Sequence, residues 1–304
     1  VIESILPVFP LMASNPLTHV VDHPLISTNG VWVLTNHMVM LLLSAALMLL
    51  IFPAITRAYR SGELVPTGTR NFFEAIIIYL RNDVVKPLLG DETDRYMPYL
   101  WTLFFFILFT NLLGLLPLDV LTGKLLGINH GHGVYGTATS NIYVTGTLAV
   151  VSFLFWHISG IARNGIGAWF HHFLGGAPWY LFPVMIPVEI LGMIIKPFAL
   201  AVRLAANMTA GHILIAVLIG FVPAAFQAHY GQGIGVGIIS VLGAVAVMCL
   251  EVFVALLQAY IFTFLTTLFI SQMVMHEHDE HEAHEEHAEV NILGDDASKL
   301  SSHM

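Results

Sequence analysis

Arg203 stands inside PFALAVRLAANMTAGHILIAV (residues 197–217), a run of small and apolar residues without a single acid to neutralise it. A charged side chain at mid-bilayer costs roughly 2.5–3.5 kcal/mol on insertion scales, so such a residue calls for a reason. The surrounding stretch, 181–222, also carries Glu189 and Lys196. The three charges lie seven and seven residues apart, and on a continuous helix seven residues return to within about 20° of the starting direction. Asn207, four residues past Arg203, falls near the same face. His212, nine past, falls about 180° away. The next apolar stretch carries Glu251 and Gln258, again seven apart. Ala199, Ala201, Ala205, Ala206, Ala210 and Gly211 leave room for another helix to approach closely.

The residue types limit the chemistry. A guanidinium keeps its proton in proteins, so Arg203 is a poor relay and a good fixed cation for holding a carboxylate. Glutamate and histidine take up and release protons when burial tunes them. Taken singly, a cation near a helix end snorkels to the headgroups, and Lys196 fits that reading. Glu189 also fits a helix-start carboxylate near the interface. Arg203, Asn207, His212, Glu251 and Gln258 together, deep in two adjacent apolar stretches, point to an aqueous path or a charge-handling site. A fixed cation flanked by titratable groups makes a barrier with access from either side.

These residues need membrane helices to hold them. Of 304 residues, 57% are hydrophobic and only 10% charged, with a mean hydropathy of +0.79. A soluble domain carries about a quarter charged residues. Apolar runs of roughly 18 or more residues can cross a bilayer as helices, and they occur at 32–55, 98–117, 142–161, 181–222 and 235–274. The last two are about twice the usual span. Each is either two spans joined by a tight turn or one strongly tilted helix. Pro183, Pro187 and Pro197 shape the first, and Gly231, Gly233, Gly235 and Gly237 precede the second.

Segment 56–97 holds six of the eleven basic residues (Arg57, Arg60, Arg70, Arg81, Lys86 and Arg95), whereas 118–141 holds only Lys124. By the positive-inside rule the first connection is cytoplasmic or its organellar equivalent, and the second lies outside. The N-terminus is then outside, Arg163 inside, residues 223–234 outside and the C-terminal tail inside. Within the basic segment, NFFEAIIIYLRNDVVKPL (71–88) sets Phe72, Ile76, Tyr79, Leu80 and Val84 near helical spacing with charges between. It reads as a helix on the membrane surface or one packed on another subunit.

Other features exclude functions. The single Cys249 offers no disulfide framework. GQGIGVG (231–237) lacks the register, strand and βαβ unit of a nucleotide loop and reads as a flexible turn. His171 and His172 have no companion histidine motif for a di-iron centre. No basic patch suggests nucleic acid, and the net charge of −9 is concentrated in the tail. HEHDEHEAHEEHAEV (276–290), with five histidines and seven acids, reads as a solvated extension. The chain begins at Val1, which reads as a processed or trimmed start, and residues 1–12 lack the basic flank of a signal peptide. The expected organisation is an outer N-terminal segment (1–31), a transmembrane helical domain (32–274) and a disordered tail (275–304).

Three stretches closely resemble the family of subunit a of F-type ATP synthases. KPFALAVRLAANMTAGHILIAV (196–217) matches its signature helix at Lys196, Pro197, Arg203, Leu204, Asn207, Met208, Ala210, Gly211 and His212, with Glu189 at the expected distance before. RYMPYLWTLFFFILFTNLLGLLPLD (95–119) matches the family's helix at Pro98, Phe104, Phe106, Asn111, Leu112, Gly114 and Pro117. LEVFVALLQAYIFTFLTTLFIS (250–271) matches its last helix, including Gln258, Ala259 and Phe262. In the family's order the resemblance covers about residues 20–273.

It implies an all-α polytopic membrane fold ending in two long, tilted helices that hug a rotating ring of c subunits. Two offset half-channels would bring protons to the ring carboxylates and carry them away. Arg203 would be the essential arginine between them. His212 and Glu251 match the polar pair of the inlet half-channel, Asn207 and Gln258 match polar residues near the arginine, and Glu189 and Lys196 match positions toward the exit. Asp119 is a candidate for gathering protons at the outer end, or a solvated loop residue. TATSNIYVTGTLAV (137–150) departs from the pattern, with Asn141 and Tyr143 where some members carry an acid and an asparagine. The implied partners are the c-ring, the subunit b stalk, the rest of the synthase and lipid, with no cofactor and no catalysis by this chain alone. The implied location is an energy-transducing membrane, bacterial plasma membrane first and mitochondrial inner membrane or thylakoid second. A stand-alone transporter using Arg203 to bind an anion is the competing class. The paired repeats of transporters are not evident in the chain.

Overall fold

The computed structural model describes residues 24–28, 31–60, 68–116, 137–173, 179–228 and 230–274. Two short strands, β1 (Pro24–Thr28) and β2 (Val31–Thr35), pair antiparallel from Pro24–Thr35 to Thr28–Val31. Long apolar runs in the sequence do not signal this pair. Its segment is rich in β-branched residues (Ile26, Thr28, Val31, Val33 and Thr35), which favour extended backbone. Everything else of any length is helical: α1 (Asn36–Arg60), α2 (Thr69–Tyr79), α3 (Lys86–Leu89), α4 (Thr93–Leu115), α5 (Ile142–Phe173), α6 (Phe182–Ala228) and α7 (Tyr230–Val274). Helices close every backbone hydrogen bond within one segment, which is what an apolar environment demands. Five helical stretches have the length and composition to cross a membrane: Asn36–Arg57, Thr69–Leu115, Ile142–Gly167, Phe182–Pro223 and Gly233–Val274.

The amphipathic segment is helical, as its spacing predicts. A π-helical turn, Leu80–Val85, joins α2 to α3, and Gly90, at φ 50°, reverses the chain into α4. That conformation is open to glycine and strained for other residues. The segment does not lie alone, because α2 runs back along α4. The Phe73 ring lies 6.0 Å from Phe105 and 6.3 Å from Phe109. Trp101 Nε1 donates to the Ile77 carbonyl at 3.3 Å, and Arg81 pairs with Asp94 at 2.7 Å. The apolar face of the segment therefore packs on its own bundle.

Each of the last two apolar stretches is one helix, which decides between the two readings of their length. Their apolar portions are 42 residues each, about 63 Å at 1.5 Å per residue, against a hydrocarbon core of about 30 Å. Each is therefore about twice as long as an upright crossing needs. Pro187, Pro197 and Pro223 lie inside α6, and each removes one backbone donor. The glycine-rich 231–237, expected as a turn, is the first part of α7. The helices run antiparallel, with Lys196 against Phe269, Asn207 against Gln258 and Leu218 against Gly243.

The core lies where α4, α5, α6 and α7 meet and contains Met97, Leu100, Phe105, Ile107, Trp156, Leu200, Leu204 and Phe262. Large apolar side chains also cover the outside, among them Leu49, Leu50, Val184, Ile239 and Phe253. An exterior of this kind suits lipid or apolar partners. One end of the bundle is pinned by polar contacts: Arg163 and Arg95 to Glu92 at 2.8 and 3.7 Å, Asn164 Nδ2 to the Met273 carbonyl at 3.0 Å and Ser271 Oγ to the Leu88 carbonyl at 2.6 Å. These residues sit at the end that the basic-residue count assigns to the inner side. At Gly165, with φ 80°, α5 breaks just past that end.

Candidate functional site along the paired long helices

The paired helices α6 and α7 carry most of the ionisable residues singled out in the sequence. Heptad spacing on each helix, with antiparallel pairing between them, stacks polar groups into successive levels. At the inner level Lys196 Nζ lies 5.2 Å from the Phe269 ring centre, a cation–π contact. Glu189, two turns before it, is half-buried. His157 of α5 is buried nearby among Phe153, Trp156 and Trp169. The Trp169 indole donates to its Nδ1 at 3.4 Å.

Arg203 stands one heptad further on. It is exposed and makes no ion pair or hydrogen bond among the described residues. Around it on the same uncovered face are Ala199, Val202, Ala206, Asn207 and Ala210. Leu200, Leu204 and Met208, on the other side of α6, are buried in the seam. Sequence spacing had aligned Glu189, Lys196 and Arg203. The long Lys196 side chain reaches the Phe269 ring of α7, while Arg203, one heptad on, stays exposed.

Asn207 Nδ2 donates to Gln258 Oε1 at 3.1 Å. Gln258 is only 2% exposed, and its own amide nitrogen has no partner among the described residues. Next comes Glu251, only 3% exposed, with neither carboxylate oxygen hydrogen-bonded among the described residues. It fits because Gly211 lies directly opposite, and a β-carbon there would run into Oε1. The residue after that glycine, His212, is in contact through Nε2 with the Thr137 hydroxyl. Gly211 is eight residues from Arg203, about 12 Å along the helix axis. The buried carboxylate and the fixed cation thus occupy different levels as well as different faces.

Sequence reasoning did not anticipate the partners of His212. A turn, Thr137–Asn141, seats among four helices. Thr139 Oγ1 donates to Asn111 Oδ1 at 2.6 Å. Thr209 Oγ1 donates to the Ser140 carbonyl at 3.3 Å. Asn141 Nδ2 lies 3.3 Å from His37 Nδ1. The available signal was a dense polar string, TATSN, just before an apolar helix, together with Asn111 inside one. Asp119, the remaining candidate, lies outside the described residues, as does the histidine-rich tail. Among the described residues no group of three His, Cys, Asp or Glu side chains is arranged to hold a metal ion.

Chemically, the seam offers a carboxylate, an imidazole, hydroxyls and amides on one side of a permanent cation. Carboxylates and imidazoles can take up and release protons, and an arginine keeps its own. A bundle with five helices long and apolar enough to span a bilayer has the form of a multi-pass membrane protein. The family profile of the ATP synthase A chain matches residues 38–271. Similar proteins include ATP synthase subunit a of Chloroherpeton thalassium, 41% identical over 80% of this chain and 67% of its own length. ATP synthase subunit a of Anaeromyxobacter sp. strain Fw109-5 is 41% identical over 81% of this chain and 55% of its own. ATP synthase subunit a 2 of Chlorobaculum tepidum is 40% identical over 81% and 65%. The matched region therefore spans between about half and two thirds of these relatives. The chain belongs to the ATP synthase A chain family.

Proposed function

We propose that this chain is the proton-conducting stator of a rotary F-type ATP synthase in a bacterial plasma membrane. It works against the c-subunit ring and is held by the subunit b stalk and the rest of the complex. Two half-channels lead to the ring carboxylates. His212 and Glu251 line the outer one, with Asp119 gathering protons at its mouth, and Asn207 and Gln258 lie near the arginine. Glu189 and Lys196 lie toward the inner one. Arg203 separates the two, attracting each deprotonated ring carboxylate and blocking direct passage of protons.

The observation that carries this reading is Arg203 itself: a permanent charge, exposed, without a counter-ion among the described residues, on a face lined by alanines. Leaving such a charge against lipid costs a few kcal/mol. A carboxylate presented by a closely approaching helix removes that cost, and the alanines admit the approach. The energetics suit repeated small steps, since one proton crossing 100 mV supplies roughly 2.3 kcal/mol.

The test uses the whole complex in sealed vesicles, comparing Arg203→Ala with the parent for ATP-driven proton uptake and passive leak. The expected result is loss of coupled pumping with assembly intact. Coupled pumping at the parental rate would refute the proposal.

A further inference from the structure

The turn at Thr137–Asn141 is built with more contacts than a connection between two helices requires. Thr137 is fully buried. Its carbonyl accepts from the Ser140 amide at 2.9 Å and from Ser140 Oγ at 2.7 Å, so the turn is closed on itself. Thr139, Ser140 and Asn141 then tie it to Asn111 of α4, Thr209 of α6 and His37 of α1. Gly114 of α4 makes the seat, because a β-carbon there would collide with the Thr137 backbone and hydroxyl. With the turn fixed on three sides, the Thr137 hydroxyl is left facing His212 Nε2.

We propose that Thr137 is a positioning residue for proton transfer. Held in the Gly114 notch, its hydroxyl sets the orientation and tautomer of the His212 imidazole one residue from where Glu251 sits against α6. This rests on the reading of the chain as a proton-conducting stator. A threonine hydroxyl either donates to an imidazole nitrogen or accepts from it, and the choice fixes which ring nitrogen carries the proton. A neighbouring imidazole that is free to rotate spends less time in the orientation that delivers a proton to a carboxylate. Among the described residues, the titratable groups facing this cluster are Glu251 from α7 and His37 from α1. The α4 side contributes only Asn111, and Tyr143 of α5 is turned outward.

The experiment compares Thr137→Val, which keeps the shape and removes the hydroxyl, with Thr137→Ser, which keeps the hydroxyl. Both are made in the assembled synthase in sealed vesicles, with ATP-driven proton uptake followed across a range of pH. The expected result is a drop of about five- to tenfold in uptake for the valine variant, the effect of one lost hydrogen bond to an ionisable group. Its pH midpoint should move by about half a unit or more, and the serine variant should restore both to near the parent. A valine variant with parental rate and pH profile overturns the proposal. So does a serine variant as impaired as valine, since that marks a purely structural role. Arg203→Ala, run alongside, separates the two levels. If it loses coupling while Thr137→Val is normal, only the positioning role fails. If it pumps normally, the stator reading fails.

Discussion

Replacing Gly211 with alanine puts a methyl group where the Glu251 carboxylate sits. The added carbon would lie 2.6 Å from Cδ and 2.8 Å from Cγ of Glu251, and closer still to Oε1. Carbon atoms rest at about 3.5–4.0 Å, so the carboxylate must retreat by roughly 1 Å or α6 must part from α7. Overpacking of this kind costs about 1–3 kcal/mol. If that cost falls on the conducting arrangement, proton uptake drops about 5- to 150-fold, at 1.4 kcal/mol per factor of ten. The assay is ATP-driven uptake in sealed vesicles, normalised to assembled complex. Gly146→Ala on α5, where an added carbon meets nothing within 4 Å, serves as the control and should pump normally. Glu251→Asp draws the carboxylate back by about 1.5 Å, one carbon–carbon bond. The double variant should therefore recover part of the loss that Gly211→Ala alone causes. Parental uptake by Gly211→Ala at parental assembly would refute the idea that this notch holds the carboxylate in its working place.

Asn207→Leu removes the donor to Gln258 and leaves a buried amide with neither end satisfied, costing about 1–3 kcal/mol. Thermal unfolding of the purified complex should fall for that variant, and the Asn207→Leu/Gln258→Leu pair should be less destabilised than the sum of the single changes. Glu92→Gln weakens the partly exposed clasp to Arg163 and Arg95. Its effect on stability should be about 1 kcal/mol or less and should shrink further in high salt, as measured by melting at two ionic strengths.

Much of the architecture was legible because membrane helices announce themselves through composition. Every apolar run found in the sequence contains a long helix, although 32–35 of the first belongs to β2, and the doubling in length of the last two corresponds to two single helices. The glycines of 231–237 misled. Glycine lowers helix propensity by roughly 1 kcal/mol in water, but an apolar environment penalises an open backbone far more, so the helix persists through them. The segment 71–88 is helical, as its spacing predicts, with a π-helical turn at Leu80–Val85. Its partner could not be read, because amphipathy says that a face is covered and not by what.

The chain's own order of residues determined which polar groups would be drawn into an apolar bundle, that Arg203 and His212 would point apart, and the family to which the chain belongs. Those follow from residue type and a fixed helical pitch. Only the tertiary structure decided that Gly211 faces Glu251, that Asn207 meets Gln258 and that a turn more than seventy residues before His212 supplies its hydroxyl partner. Such pairings depend on how far one long helix slides along another and how deeply a turn sinks between them. That register is set by the summed packing of the whole seam, which no local stretch encodes.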